Sequence, residues 1–428
     1  MRKKGMVATP MPQATLLSST HPADERQLSL FRLYDPEVLA NPYPFYHQLQ
    51  QEDPVHWDPF LHAWVVTRYE DVTTVLRSFS ARCAPEPERL AEIGLSSMSE
   101  IGRTMVQQML FMDPPVHTSL RGICSVAFTP HRVESLRRHI QAIVDSLLEP
   151  HLSNSRIELM GDFANRLPAI VMAEMLGLPT SDHEKLKTWS AQFAEILGNL
   201  QHNADSAART LQSLEEMSNY FQTAIREQRQ NPGSGLIAAL ITAQLNGQQL
   251  SEESIIANCI LLAVGGQETT PNLIGNGMLS LLCHPDQMSR LRQDPSLLAS
   301  AIEELLRYEA PSQHTTRIAP QDVELGSREI QKHQSVIAVM GAANRDPERF
   351  VDPDRLDIGR QDNKHLAFGA GAHFCFGAPL ARMEGQIAFS TLLQRTSDIR
   401  LESEGLVWRE NLGLRGLTTL PLALTPIA

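Results

Sequence analysis

The sequence predicts a mainly helical protein with small β-sheets. Between residues 119 and 250, stretches with apolar residues at helical spacing follow one another and are separated by Pro, Gly and Asn breaks. A longer helix is predicted from residue 251 to residue 283, where His284-Pro285 ends the apolar run. Short alternating segments, such as 55–57 and 63–67, predict strands of only a few residues. The helices should therefore dominate the fold.

Composition and charge limit the classes of function. The chain has 428 residues, of which 42% are hydrophobic and 20% charged, so it can bury a large core. Its formal net charge of −12 argues against a nucleic-acid-binding protein, because such proteins are normally basic. The five cysteines are scattered, odd in number and free of Cys-x-x-Cys pairs, which fits a reducing cytosol.

Domain organisation and location follow from two further patterns. Residues 1–27 are rich in Ser, Thr, Pro and Gln and are predicted to be disordered, whereas residues 28–428 are predicted to form one domain. The longest apolar segment, residues 255–266, is shorter than the roughly 20 residues that a membrane span needs. The N-terminal stretch holds no apolar run long enough for a signal peptide. We therefore expect a cytoplasmic protein without a membrane anchor.

The shorter elements are predicted in chain order from their breaks. A first helix follows Asn41-Pro42, a hairpin surrounds Asp58-Pro59, and a short helix covers residues 71–76. Further helices are predicted over residues 133–148, 165–176, 182–197 and 207–228, with Glu149-Pro150 ending the first of these. Short strands are expected around Gly326, over residues 336–339 and within the tail 412–424.

One loop has the composition of a thiolate ligand site. Residues 368–377, the Cys375 loop, read Phe-Gly-Ala-Gly-Ala-His-Phe-Cys-Phe-Gly and lead into a predicted helix over residues 378–395. Its glycines allow the backbone to pass close to a flat ligand and to turn N–H groups toward a sulfur. The helix that begins after Cys375 brings partial positive charge near the thiol and favours its anion. On the cysteine alone, the alternative is a small buried hydrophobic residue.

The long predicted helix has an unusual middle. Ser251 is its predicted N-cap, and its apolar centre contains Gly265-Gly266-Gln267-Glu268-Thr269-Thr270-Pro271. Glycine, proline and short polar residues are poor helix formers. Because Pro271 cannot donate to the carbonyl of Gln267, we predict a local distortion that can hold water or a ligand. A solvent-facing kink is the alternative, and the apolar flanks disfavour it.

These motifs resemble those of the cytochrome P-450 monooxygenases of the soluble bacterial type. The Cys375 loop matches the family's haem-binding loop at Phe368, Gly369, Gly371, His373, Cys375 and Gly377. The resemblance implies a cytochrome P-450 fold, a single triangular helix-rich domain with haem b between the long central helix and the helix that follows the Cys375 loop. It implies that the thiolate of Cys375 is the metal ligand. It also implies that Glu268 and Thr269 are a catalytic acid-alcohol pair that relays protons during oxygen activation.

The same resemblance assigns supporting residues. It implies that the haem propionates are held by His117, Arg121, Arg317 and His373. It implies a buried structural network of Glu304, Arg307 and Arg355. The implied substrate-pocket positions are Leu261, Val264, Gly265, Gln313, Thr315, Leu414, Gly416 and Leu417. These positions are mostly neutral and apolar, so we expect a lipophilic substrate such as a terpenoid, macrolide, fatty acid or steroid.

The expected function is that of a haem-thiolate monooxygenase in natural-product or secondary metabolism. It would insert one oxygen atom from O2 into a lipophilic small molecule by hydroxylation or epoxidation. Because one domain accounts for the chain, electrons should come from an external ferredoxin and ferredoxin reductase. An exposed basic patch of Lys364, Arg132, Arg137 and Arg138 is the expected docking site on an otherwise acidic protein. We expect a monomer.

Three alternatives remain at this point. The first is a haem-thiolate peroxygenase or isomerase, against which the Glu268-Thr269 pair argues. The second is a non-catalytic protein that binds haem or a hydrophobic ligand. A thiol hydrolase that uses Cys375 is more remote, because the sequence places no activating His with a partner Asn or Asp.

Overall fold

The structure is a computed structural model that describes residues 26–427, except for residues 93–94, 199–203, 248–249 and 403–404. Most of the predicted disordered segment, residues 1–27, therefore lies outside the described residues. The described chain is mainly helical with small sheets, as predicted. Among the described residues, no helix combines the length and apolar character needed to cross a membrane.

The helices follow the predicted order. In the described chain they are α1 (Pro36–Ala40), α2 (Tyr43–Glu52), α3 (Tyr69–Ser78), α4 (Pro87–Glu92), α5 (Ser96–Met105), α6 (Val116–Ser125), α7 (Pro130–Ser135), α8 (Arg137–Asn154), α9 (Arg166–Leu176), α10 (His183–Gly198), α11 (Ala204–Gln230), α12 (Leu236–Leu245), α13 (Glu252–Cys283), α14 (Pro285–Gln293), α15 (Leu298–Tyr308), α16 (Met340–Ala343) and α17 (Ala378–Arg395). Ser251 caps α13 by accepting a hydrogen bond from the N–H of Ser254 at 3.1 Å. Gly177 ends α9 with a φ of 83°, a conformation that favours glycine.

The strands form small sheets beside the helices. They are β1 (Val55–Asp58), β2 (Ala63–Val66), β3 (Arg156–Glu158), β4 (Thr315–Ile318), β5 (Val323–Leu325), β6 (Arg328–Ile330), β7 (Ser335–Ala338), β8 (Thr396–Leu401) and β9 (Pro421–Pro426). The largest described sheet has the order β1-β2-β7-β4, the second β3-β9-β8, and β5 pairs with β6. The antiparallel pairing of β1 with β2, in which Val55 lies opposite Val66, confirms the predicted hairpin. The sheet β1-β2-β7-β4 matters for the site because β4 carries Arg317.

Two predicted boundaries are wrong. Helix α8 does not end at Pro150 but continues to Asn154. Ile140, Val144, Leu148 and Leu152 are all buried at helical spacing, so packing stabilises the helix beyond the proline. In the tail, the regular strand begins at Pro421, while the preceding segment 408–417 is held by isolated bridges such as Trp408 to Leu417.

Helix α13 positions the site. Its 32 residues correspond to a length of about 48 Å. It packs against α9, α10, α11 and α17, so most of its surface is buried. The helix runs without interruption through Pro271, and the predicted distortion therefore does not break it. The middle of this buried helix and the Cys375 loop line one cavity.

Candidate active site

A cavity of about 370 Å³ lies between α13 and the Cys375 loop. Helix α13 contributes Leu261, Val264 and Gly265 to its wall, and Cys375 lies on the opposite wall. A Cβ added to Gly265 would meet no atom within 4 Å, so the backbone of α13 faces open space there. The cavity thus places the middle of the long helix opposite the predicted metal ligand.

The Cys375 loop is folded by its own sequence. Gly369 and Gly371 both have a φ of 70°, which favours glycine, and the N–H of Cys375 donates to the carbonyl of Phe368 at 2.9 Å. Burial raises the pKa of the Cys375 thiol above its ordinary value, and the backbone N–H groups of Gly377 and Ala378 and the nearby Arg121 guanidinium offset only part of that rise. These donors lie where they stabilise a thiolate. The loop therefore suits an anionic sulfur that is bound to a metal.

Three of the predicted propionate contacts form a cluster of unpaired donors. The rings of His117 and His373 have centroids 4.0 Å apart and planes tilted by 33°, and both residues line the cavity together with Arg317. Within the described part of the chain, His117 Nδ1, His373 Nε2 and Arg317 Nε are buried and have no hydrogen-bond partner. Buried polar atoms nearly always have a partner, so the cluster is complementary to a buried anion. The residues present fit a haem with its two carboxylates.

The charges of this cluster agree with that interpretation. Burial and then the nearby Arg121 lower the pKa of His117. Burial, His117 and Arg317 lower the pKa of His373 to about 4. Both imidazoles are therefore neutral until an anion lies beside them, and a carboxylate would favour their charged forms. Arg121, the fourth predicted contact, also lines the cavity, where its guanidinium donates to the carbonyl of Phe374.

The predicted acid-alcohol pair also lines the cavity. The hydroxyl of Thr269 donates to the carbonyl of Gly265 at 3.0 Å. Glu268 is buried, and its carboxylate accepts a hydrogen bond from Arg409 at 2.7 Å. Burial raises the pKa of Glu268, and the Arg409 guanidinium lowers that pKa. The acid and the hydroxyl thus lie on adjacent positions of α13 at the wall of the cavity.

A second buried carboxyl faces the same cavity. Glu384 on α17 is buried, and burial raises the pKa of its carboxyl to about 8, although a hydrogen bond with the Thr270 hydroxyl lowers that pKa. Glu384 lines the cavity beside Thr270. Near neutral pH this carboxyl is therefore mostly protonated. Its hydrogen bond with the hydroxyl of Thr270, the residue after Thr269, links α17 to α13.

Five of the eight predicted substrate-pocket residues line the cavity, and the prediction is wrong for the other three. Thr315 and Leu414 line the cavity, as do Leu261, Val264 and Gly265, but Gln313, Gly416 and Leu417 do not. Gln313 is buried elsewhere, where its amide oxygen accepts a hydrogen bond from Tyr46 at 3.1 Å and its amide nitrogen donates to Ala310 at 2.7 Å.

The other two residues are excluded by packing in the tail. Gly416 lies against α13, and a Cβ added to it would come within 2.0 Å of the amide oxygen of Asn272. Leu417 is buried in the hydrophobic core and is paired with Trp408 through an isolated bridge. The tail therefore contributes Leu414 to the cavity and turns its next residues toward the helix.

The predicted buried network forms around Glu304 and Arg307, but its third side chain is that of Arg360 and not that of Arg355. Arg307 makes two hydrogen bonds of 2.8 Å with the carboxylate of Glu304, and both side chains are fully buried. The second guanidinium on this carboxylate is that of Arg360, at 3.1 and 3.2 Å, and not that of Arg355. Arg355 is exposed, and its carbonyl accepts from Arg307 and Arg360. The prediction for the Arg355 side chain is wrong because the chain turns, so that the residue five positions later reaches Glu304.

Sequence reasoning missed four residues of this site: Arg409, Glu384, His314 and Arg360. Glu384 was detectable, because it lies four residues after Leu380 on the inward face of α17. His314 lines the cavity, and burial lowers its pKa to about 4, so its imidazole is a neutral polar group in an apolar wall. No local sequence pattern points to Arg409.

The fold and site define a class, the enzymes that bind haem through a cysteine thiolate. A sequence model of the cytochrome P450 family matches residues 62–397, and the chain belongs to this family. It is therefore a cytochrome P450 monooxygenase, which uses a thiolate-ligated haem and O2.

Individual relatives cover nearly the whole chain. The biotin biosynthesis cytochrome P450 of Bacillus subtilis (strain 168) is 37% identical over 390 residues, which are 90% of this chain and 97% of the relative. The crystal structure of P450BioI, in complex with acyl carrier protein ligated to hexadec-9Z-enoic acid, is 37% identical, with a TM-score of 0.85 over 91% of this chain and 100% of that chain. The myxobacterial cytochrome P450 CYP267B1, in complex with myristic acid, is 37% identical, with a TM-score of 0.84 over 94% of this chain and 100% of that chain.

Proposed function

We propose that this monooxygenase hydroxylates or epoxidises a lipophilic small molecule in natural-product or secondary metabolism, and that a long acyl chain is its favoured substrate. The observation that carries the proposal is the wall of the cavity opposite Cys375. Leu261, Val264 and Leu414 present apolar surface there, and Gly265 leaves the middle of α13 open. Apolar cavities with few polar groups suit lipophilic ligands.

Two relatives support the choice of an acyl chain. The crystal structures of P450BioI and CYP267B1 hold hexadecenoic acid, as an acyl carrier protein conjugate, and myristic acid. Both proteins are 37% identical to this chain over more than nine-tenths of its length. A biosynthetic role is supported by the name of the biotin biosynthesis relative. Steroids and macrolides remain competing substrates that the experiment below compares directly.

The side chains have separate roles in this proposal. Cys375 binds the iron, while His117, Arg121, Arg317 and His373 hold the propionates. When bound, the haem supplies oxygen activation and insertion of one oxygen atom into the substrate. Glu268 and Thr269 hold and pass protons at the carboxylate and hydroxyl that border the cavity. The apolar wall excludes water from the reacting carbon.

The electron donor in this proposal is a ferredoxin with its reductase. All four residues of the predicted basic patch, Lys364, Arg132, Arg137 and Arg138, are exposed. Arg137 is paired with Glu134 at 2.6 Å, so the other three carry most of the available positive charge. Phe374 in the Cys375 loop is 41% exposed and adds apolar surface near the sulfur. An acidic partner that docks here would bring its electron close to Cys375. We further propose that the protein acts as a monomer in the cytoplasm.

The proposal is tested with the purified holoenzyme, a ferredoxin and its reductase. Myristic acid, testosterone and a macrolide are titrated while the haem spin state is followed, and products formed under ¹⁸O2 are analysed by mass spectrometry. We expect myristic acid to shift the spin state and to gain one ¹⁸O atom. Leu414→Phe should weaken this binding, whereas Leu245→Phe, at an exposed position on α12, should not.

Three results would contradict parts of the proposal. A spin shift with testosterone or the macrolide alone would reject the acyl chain. Product formation with hydrogen peroxide, but none with O2 and reductant, would favour the peroxygenase. Binding of all three ligands without substrate-dependent oxygen consumption would favour a ligand-binding protein.

A further inference from the structure

We infer that a file of polar residues on α13 carries protons through bound water from a second cavity to Glu268. The polar file consists of Glu268, Asn272, Asn276 and Ser280. These residues are four positions apart, so they lie on one face of the helix. The inference rests on the proposed role of Glu268 as a proton donor, and it names the source of those protons.

The second cavity has a volume of about 380 Å³ and lies at the far end of the polar file. Asn276, Ser280 and Cys283 of α13 line it, together with Glu309 and Asp354. Cys283 and Asp354 are exposed residues, so the cavity opens to solvent. It also has several ionisable groups in its wall, which favour the presence of water.

Asn272 lies between the two cavities and lines neither of them. It is fully buried, and within the described part of the chain neither its amide oxygen nor its amide nitrogen has a hydrogen-bond partner. The amide oxygen of Asn276, also fully buried, is likewise unpaired among the described residues. A buried polar group that is left without a partner destabilises the folded protein. Bound water is the usual partner of buried polar groups of this kind.

The segment 408–417 covers the polar file through contacts near both of the segment's ends and beside Asn272. Arg409 donates to Glu268 at 2.7 Å, and the carbonyl of Arg415 accepts from Asn276 at 3.0 Å. Between these two contacts, the Asn272 amide packs against Gly416, where a Cβ would come within 2.0 Å of the amide oxygen. Glu268 and Asn276 are eight residues apart, which is about 12 Å along the helix. About four hydrogen-bonded links would span this distance.

The chemistry requires such a supply. Each turnover consumes RH, O2, two electrons and two protons and yields ROH and H2O. The external donor provides the electrons, and both protons end in the water molecule. A proton that leaves the Glu268 carboxyl is replaced by a proton from the water beside Asn272. That water in turn receives a proton from solvent in the second cavity. Arg409 reaches toward solvent with 27% of its side chain exposed, but a guanidinium keeps its protons and cannot relay them.

The test compares two substitutions of Asn272 in the holoenzyme. Asn272→Leu replaces the buried amide with an apolar side chain of similar size, whereas Asn272→Ser keeps a polar group and is small enough to leave room for water. We expect Asn272→Leu to lower the product formed per electron pair by about tenfold, with a matching rise in hydrogen peroxide, and Asn272→Ser to remain close to wild type. A crystal structure should show ordered water beside Asn272 in the wild type and none in Asn272→Leu. Unchanged coupling in Asn272→Leu, or no water in the wild type, would overturn the inference.

A second experiment does not depend on the folding of Asn272→Leu. In the holoenzyme, Cys375 is taken up by the iron, Cys124 and Cys259 are buried, and Cys83 is only partly exposed with its thiol donating to the carbonyl of Thr316. Cys283 is therefore the exposed thiol, and it lies at the mouth of the second cavity. A bulky maleimide on Cys283, verified as a single addition by mass, should lower the coupling in the same direction. Cys283→Ala treated with the same reagent is the control and should couple like the untreated enzyme. Normal coupling in the labelled wild type would count against the route.

Thr269→Ala separates this inference from the proposal on which it rests. If Thr269→Ala uncouples turnover and Asn272→Leu does not, the polar file is rejected and the acid-alcohol pair is retained. If neither substitution uncouples turnover, both the polar file and the proposed relay at Glu268 and Thr269 are rejected. If both uncouple turnover and the ordered water is present, the route is supported.

Discussion

The carboxylate of Glu268 on α13 accepts a hydrogen bond of 2.7 Å from the guanidinium of Arg409 in the segment 408–417. Glu268 has 5% of its side chain exposed, and its burial raises the pKa that Arg409 then lowers. The protonation of the acid therefore depends on a residue 141 positions away in the chain. The same segment covers the polar file, so it influences the charge of Glu268 and packs against the amide of Asn272.

Removal of Arg409 should shift the pH dependence of coupling upward. In Arg409→Ala, burial acts on the Glu268 carboxyl without the guanidinium that lowers its pKa, so the carboxyl stays protonated to higher pH. The measurement is product per electron pair as a function of pH. Arg409→Lys retains a positive charge and should give a smaller shift. A profile that is identical in all three proteins would show that Arg409 does not set the protonation of Glu268.

Arg317 should contribute to haem retention. Its Nε is one of the unpaired buried donors of the cluster, and charge-assisted hydrogen bonds contribute about 1.5–3 kcal/mol. Arg317→Ala should therefore speed haem transfer to an acceptor protein by about tenfold or more. Arg328→Ala removes an arginine that is half exposed and pairs with Asp53, and it should leave the transfer rate unchanged. Equal rates of haem transfer for both variants would show that Arg317 does not hold a propionate.

Arg360 and Arg355 should differ in their effect on stability. Arg360 is mostly buried on the carboxylate of Glu304, whereas Arg355 is exposed. Arg360→Ala should lower the free energy of unfolding by about 2 kcal/mol, because it removes hydrogen bonds to a buried charge. Arg355→Ala should change that free energy by less than about 0.5 kcal/mol. Denaturant unfolding of the two variants measures the difference, and the opposite order would restore Arg355 as the network arginine.

Glu303 should make the stability of the protein sensitive to acid. Burial acts to raise the pKa of Glu303, but hydrogen bonds from His365 and Arg382 lower it to about 2, against 4.5 for an unperturbed group. A carboxyl whose pKa is lower in the folded state contributes stability above the unfolded pKa and loses it as the pH falls. The contribution should therefore be full above about pH 4.5 and should decline toward pH 2.

The check is unfolding by urea between pH 6 and pH 3, in steps of about one unit. Glu303→Gln should flatten the loss of stability in this range and should lower stability near neutral pH by about 1–2 kcal/mol. Glu329→Gln, at an exposed position on β6, is the matched control and should follow the wild type. If Glu303→Gln retains the full acid dependence, the ion pair with Arg382 on α17 does not account for it.

Much of the fold could be predicted because its signals are local. The cap at Ser251, the break at His284-Pro285 and the glycines of the Cys375 loop each lie within a few residues of the structure they determine. The apolar flanks of Glu268 also indicated correctly that the acid is buried. Helix α8 shows the limit of such signals, because packing of Leu148 and Leu152 overrides the break predicted at Pro150.

The errors in the site arise from contacts between distant segments. Gln313 lies away from the cavity, where it accepts a hydrogen bond from Tyr46, and Gly416 packs against Asn272 of α13. The exchange of Arg355 for Arg360 depends on the path of a loop, since both are arginines near the same acid. No pattern within one segment contains this information. Arg409 was missed for the same reason, because its role is defined by a contact with α13 and not by its neighbours in sequence.

The central claim is that Cys375 binds the haem iron as a thiolate. Its most direct test is the visible spectrum of the dithionite-reduced protein under carbon monoxide, for the wild type and Cys375→Ala. The wild type should show the Soret band that is characteristic of a thiolate ligand, and Cys375→Ala should lose that band while it keeps its helical circular dichroism. A thiolate-type band that persists in Cys375→Ala, or a wild-type band characteristic of a neutral ligand, would contradict the assignment of Cys375 and the site built around it.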